Sequence, residues 1–186
     1  MWWSLVLVGA LLSGESQAQP IARWDESALK ELASSPAVQT VELRSAEGRN
    51  LGRFRALELG RLHTALSNGE GSMVLRVQAA DGRAVLLSGG ELRSAAIPPL
   101  LLLERPRGRL GDTVRLRVGR AEQLPLEQVD GALQPAVVRR YRVLTHVGRR
   151  KTLELPALVV GTDQHPERWV EQVQRIELWH VPPACP

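Results

Sequence analysis

The chain has 186 residues and a formal net charge of +4, with 44% hydrophobic and 24% charged residues. These proportions predict one globular domain and exclude a disordered chain, a collagen-like repeat and a polytopic membrane protein. The single cysteine excludes an internal disulfide framework, and four histidines leave little material for a structural zinc site. Aromatic residues, at 4%, are too few for a base-stacking surface, so we expect no nucleic-acid partner.

The first 18 residues have the pattern of a signal peptide. The apolar run 5–12 is too short to span a bilayer, and Ser16 and Ala18 supply the small residues that signal peptidase accepts. We predict cleavage after Ala18, with residues 19–186 forming a single periplasmic or secreted domain that has no membrane span. Because no Lys or Arg precedes the apolar run, an uncleaved N-terminal anchor is the alternative.

The first half of the remaining chain predicts two short helices among strands, followed by a third short helix around 91–94. Asp25 is suited to cap a helix that Pro36 ends, and leucines at helical spacing predict a second helix over 57–66. Between and after these helices, alternating patterns predict strands over 38–44, 52–57, 73–80 and 83–88. Asp81 and Gly82 separate the last two strands, which predicts a hairpin with a type I′ turn.

The second half predicts mainly strands. A buried strand is expected at 100–104, and further strands at 113–118, 137–147, 153–160 and 173–181. Pro156 limits part of the strand at 153–160 to a sheet edge or to the entry of a strand. In the last strand, odd-numbered residues are expected on one face and even-numbered residues on the other. The fold class predicted from these elements is α+β.

The basic charge comes almost entirely from arginine, which supplies 22 of the 24 basic residues. Two clusters stand out, at 105–120 and 139–151. An anion site is one interpretation, because the guanidinium group suits phosphate and carboxylate, and solvated strand faces are the other. The strongest candidates for an anion-facing or cofactor-binding loop are Arg105, Arg107 and Arg109. We expect an acidic ligand or an envelope protein as partner.

The order of these elements resembles the oxidoreductase molybdopterin-binding domain, the fold of the sulfite oxidase family. It is most similar to the short exported bacterial proteins that carry only this domain. The matching stretches are 27–36, 38–43, 54–66, 74–87, 90–92, 99–108, 155–160 and 168–178, and the last is the most specific. The resemblance implies a mixed, barrel-like sheet with a few short helices, and a molybdopterin cofactor in members that keep the family's redox centre.

This chain departs from the family where catalytic members hold molybdenum with a cysteine. The corresponding stretch, 41–47, contains no cysteine, and Ser45 would not reproduce thiolate ligation. Cys185, one residue from the C-terminus, is expected to be exposed and not a metal ligand; it could form an intermolecular disulfide. We therefore expect no catalytic residues, no metal ligands and no bound cofactor.

Three hypotheses from different classes remain. The first is an exported, non-catalytic binding or accessory module with the molybdopterin-binding fold. The second is a molybdopterin-dependent oxidoreductase with a non-cysteine metal ligand, for which Ser45 is the candidate. The third is an envelope structural or sensory protein of unrelated fold. The sequence offers no hydrolase motif, and each of the four histidines occurs singly.

Overall fold

The computed structural model describes residues 19–68, 72–105, 113–117, 126–129, 132–135, 138–145, 150–164 and 166–181. The helices are α1 (Glu26–Leu32), α2 (Thr64–Asn68) and α3 (Gly89–Ser94), with 3-10 turns at Leu59–Arg61 and Pro166–Arg168. The strands of the first part are β1 (Ala22–Trp24), β2 (Gln39–Arg44), β3 (Asn50–Glu58), β4 (Met73–Ala79), β5 (Ala84–Ser88) and β6 (Leu100–Glu104). Those that follow are β7 (Thr113–Arg117), β8 (Leu126–Val129), β9 (Ala132–Pro135), β10 (Arg139–Arg142), β11 (Arg150–Glu154), β12 (Ala157–Val159) and β13 (Val173–His180).

Two larger sheets organise the fold. A four-stranded antiparallel sheet has the order β1-β13-β4-β5, and a five-stranded sheet has the order β10-β2-β3-β6-β12. In the five-stranded sheet β10 runs parallel to β2, and all other neighbouring strands of that sheet are antiparallel. Strands β7 with β11, and β8 with β9, form separate two-stranded pairs. The α+β class is confirmed, but neither larger sheet closes into a barrel through the strands that the structure describes.

Strand β6 is the centre of the core because both of its faces are buried. Leu101 and Leu103 pack with the inner face of the four-stranded sheet and the helices, including Leu29 of α1. Leu100 and Leu102 pack in a second cluster that contains Phe54 of β3. A strand buried on both faces reads as a continuous apolar run, which is why the strand predicted at 100–104 is correct at both ends.

The first helix is confirmed, and the second prediction is wrong in part. Asp25 accepts hydrogen bonds from the backbone N–H groups of Ser27 and Ala28, which caps α1 as expected. The helix predicted over 57–66 begins instead as strand, because Leu57 and Glu58 pair with β6. Only a 3-10 turn and the five-residue α2 follow. At the start of the predicted helix, strand pairing with β6 is therefore favoured over the helix that the leucine spacing predicts.

The β4–β5 hairpin is confirmed, but its turn is not type I′. That turn needs positive φ at two successive residues, whereas only Gly82 of the loop has positive φ, at 84°. The connection is a three-residue loop in which the Gly82 N–H donates to the carbonyl of Ala79. Asp81 accepts from the Arg83 N–H, so its carboxylate stabilises the turn.

Three of the later strands differ from their predicted bounds. The strand predicted at 153–160 is divided between β11 and β12, and the cis Leu155–Pro156 peptide bond lies between them. β12 is an edge strand, as Pro156 led us to expect. β10 covers only part of 137–147. The alternation predicted in 173–181 holds after Arg175, since Ile176 and Leu178 lie in the core. It fails at Val173, because a bulge between Val173 and Arg175 shifts Val173 onto the same buried side.

Within the described ranges, the longest helix has seven residues, and none is long and apolar enough to cross a membrane. The strand predicted at 113–118 is present as β7, and β8 and β9 were not predicted. Ala18, Arg107, Arg109 and Cys185 lie outside the described residues.

Candidate anion-binding surface

A carboxylate buried among arginines is the most unusual group in the five-stranded sheet. Glu42 lies on β2 and is only 2% exposed. Its cross-strand partners are Arg53 on β3 and Arg140 on β10, and Arg44 follows two residues along the same strand. Because side chains alternate along a strand, these four residues share one face. We call them the Glu42 arginine cluster.

The contacts within this cluster differ in strength. Arg44 donates to Glu42 Oε1 from Nε at 2.9 Å and from Nη2 at 2.7 Å. Arg53 Nε lies 3.6 Å from the other carboxylate oxygen, and Arg140 Nε lies 3.8 Å from Oε1. A buried carboxylate is costly unless it is paired, and these guanidinium groups supply the pairing. Glu42 thereby fixes the positions of the arginines around it.

The cluster carries more positive than negative charge. Three guanidinium groups face one carboxylate, which leaves a formal charge of +2. The Arg44 side chain is 31% exposed and that of Arg140 is 52% exposed, whereas the Glu42 side chain is 3% exposed. Solvent therefore meets the cationic part of the cluster. Such an arrangement can bind a further anion by charge-assisted hydrogen bonds.

The turn after β2 extends this surface and holds Ser45. The Ser45 hydroxyl donates to Glu47 Oε2 at 2.5 Å, and its side chain is buried. At the tip of the turn, Gly48 has φ of 80° and lies against the Arg142 guanidinium, which a Cβ would approach to 3.3 Å. A glycine here permits both the backbone conformation and the close approach of Arg142.

The residues of this turn do not fit a molybdenum site. A metal ligand at Ser45 would need an accessible hydroxyl, whereas this one is buried and bonded to Glu47. We therefore assign Ser45 no role as a metal ligand.

Other carboxylates of the described residues pair with fewer arginines. Glu177 on β13 pairs with Arg23 at 2.9 Å and with Arg76 at 3.3 Å, on the four-stranded sheet. Arg168 binds both carboxylate oxygens of Asp163 and also Glu91. Hydrogen bonding to Asp163, and then to Glu91, raises the pKa of Arg168 above its ordinary value. These pairs connect separate segments, and we assign them a structural role.

The arginines chosen from the sequence are not those of the cluster. Arg105 is exposed just after β6 and makes no contact with the Glu42 arginine cluster that the structure shows. Of the single histidines, His63 accepts a hydrogen bond from the Ala65 N–H, and His180 is exposed at the end of β13. Trp169 is buried in the second core cluster and donates to the carbonyl of Val160.

No protein-family model, curated protein or solved structure gives a significant match to this chain. The resemblance to the molybdopterin-binding domain therefore stays a prediction.

Tyr141, the only tyrosine of the chain, reports on the strand that carries Arg140. Burial and a 2.6 Å hydrogen bond to Glu58 raise the pKa of Tyr141 above its ordinary value near 10. The stabilisation from this raised pKa is therefore fully present below about pH 10 and is lost as the pH rises through the folded-state value. We predict that tyrosinate absorbance develops at higher pH in the folded protein than in urea. Coincident titrations would contradict the Tyr141–Glu58 contact.

Proposed function

We propose that this chain is an exported, non-catalytic binding module that recognises an acidic segment of a partner protein. The observation that carries the proposal is the Glu42 arginine cluster, where three guanidinium groups surround one buried carboxylate. A binding role is also consistent with the resemblance to the molybdopterin-binding fold without its cysteine. Export is the part of the proposal that depends on the signal-peptide pattern alone.

The shape of the surface favours an extended acidic partner. The cluster lies on a sheet face and reaches the edge strand β10, where Arg140 and Arg142 are exposed on the same face as Glu42 and Arg44. Arg139 lies on the other face of β10 and pairs with Glu58. Glu42 shows that the cluster accommodates a carboxylate, and carboxylates of a partner would meet the same guanidinium groups from the solvent side. Alternate Asp or Glu side chains along an extended segment, which lie on one side of it, would then pair with the arginines of this face.

The test is the affinity of the purified protein, produced from the full chain, for a heptaglutamate peptide. We predict that R140Q weakens binding about tenfold, since a hydrogen bond to a charged group contributes on the order of 1.5 kcal/mol. R83Q is the matched control, because Arg83 is exposed, pairs with Asp81 in the hairpin turn and changes the net charge equally. Equal losses in both variants, or no binding by the parent, would contradict the proposal.

Metal content separates this proposal from an oxidoreductase with a non-cysteine ligand. Because the Ser45 hydroxyl is engaged by Glu47, we predict far less than one molybdenum per chain after expression in a host that makes the cofactor. The measurement is elemental analysis together with pterin fluorescence after denaturation. Near-stoichiometric molybdenum and pterin would favour the oxidoreductase and contradict the non-catalytic assignment.

A further inference from the structure

The four edge strands of the two larger sheets differ in how they are protected. β1 and β12 have three residues each, and β12 also forms a bridge between Leu158 and Val170. The third edge, β10, is lined by arginines. Short length and charge are common ways in which proteins block unwanted strand pairing. The fourth edge, β5, has five residues and no charged side chain.

The backbone groups that β5 presents outward follow from its pairing with β4. The Ala79 N–H donates to the carbonyl of Arg83, which fixes that pair as hydrogen-bonded. In an antiparallel ladder such pairs alternate, so the residues 85 and 87 also bond to β4. The N–H and carbonyl groups of Ala84 and Leu86, and the N–H group of Ser88, therefore point away from β4, where no other described strand lies. The Ser88 carbonyl begins α3, because Ser88 is the N-cap of that helix.

The side chains of the same three residues are exposed. Leu86 is 61% exposed, the largest value among the exposed large hydrophobic side chains of the described residues. Ala84 and Ser88 are also exposed. An apolar side chain thus stands at the middle of an open strand edge, between two small residues.

We propose that β5 pairs antiparallel with β5 of a second copy of this chain, with Leu86 on the two-fold axis. The strand is self-complementary in this arrangement, since Leu86 faces its own copy and Ala84 faces Ser88. No like charges oppose each other along the strand, whereas β10 would bring its arginines against those of a copy. The pairing joins two four-stranded sheets into one eight-stranded sheet and covers both Leu86 side chains.

Cross-linking tests the register. In a C185S background, L86C provides the only thiol of the chain. A hydrogen-bonded antiparallel pair places its two Cα atoms about 5.5 Å apart, so a short bis-maleimide should link two L86C chains efficiently. L144C in the same background is the matched control, because Leu144 is an exposed leucine, at 48%, outside both β5 and its sheet. Equal cross-linking of the two variants, or none with L86C, would overturn the proposal.

Analytical ultracentrifugation of the protein that retains Cys185 gives an independent test, because it measures the oligomeric state. We expect concentration-dependent dimerisation that L86K weakens at least about tenfold, because two lysines would meet on the axis, and that L144K leaves unchanged. A protein that stays monomeric at all concentrations overturns the proposal and would leave β5 available to an extended segment of another protein. A dimer that L86K does not weaken also overturns it, since another surface would then form the interface.

Discussion

Replacing Phe54 with alanine is expected to lower the free energy of unfolding by about 4 kcal/mol, the cost typical of deleting a buried aromatic ring. Phe54 is fully buried in the second core cluster and is the only phenylalanine of the chain. It lies on β3, directly across from Val41, so its ring supports the strand that carries Glu42. The loss therefore has two parts, the favourable free energy of burying the ring, which is no longer gained, and the cost of the cavity left beneath β2.

Urea denaturation of F54A and of the parent protein measures this effect. L144A is the control, since Leu144 is half exposed and its truncation should cost less than about 0.5 kcal/mol. A loss below about 1.5 kcal/mol for F54A would contradict the burial of this ring and with it the packing that positions β2.

Replacing Glu42 with alanine is expected to lower the free energy of unfolding by about 3 kcal/mol. Removing one partner of a buried ion pair leaves the opposite charge uncompensated. Here the Arg53 side chain is only 15% exposed, and Arg44 would lose two charge-assisted hydrogen bonds. The loss falls at the low end for buried pairs because Arg140 is half exposed.

The matched control for E42A is E26A, which removes a carboxylate that is 63% exposed and pairs with Lys30 within one helix. Such surface pairs contribute roughly 0.5 kcal/mol or less. Urea denaturation of both variants at the same salt concentration makes the comparison. Similar small losses in E42A and E26A would show that Glu42 does not hold the arginine cluster together.

Elements with a local cause were predictable from the sequence. The Asp25 cap and the apolar run 100–103 act through residues adjacent in the chain, and the helix start and the strand that they predict are both confirmed. The helix predicted at 57–66 is wrong at its start because the pairing of Leu57 and Glu58 with β6 involves residues far along the chain. The predicted turn type is wrong because the loop has three residues instead of two, and only Gly82 among them has a positive φ.

The candidate site could not be predicted from local sequence. The pattern Val41-Glu42-Leu43-Arg44 suggests a strand with a solvated charged face, yet Glu42 is buried. Two of the arginines around it, Arg53 and Arg140, come from the neighbouring strands, and Arg140 reaches β2 through a parallel pairing between distant segments. The sequence did indicate an arginine-rich region at 139–151, but it gave no sign that one carboxylate would organise those arginines.

The measurement that tests the central claim most directly is the affinity of E42Q for the heptaglutamate peptide, relative to the parent protein. Glutamine keeps the shape of the side chain but removes the internal anion that competes for the same guanidinium groups. If the Glu42 arginine cluster binds carboxylates, E42Q should bind the peptide about three to ten times more tightly while its stability to urea falls. Unchanged or weaker binding by folded E42Q would contradict the account.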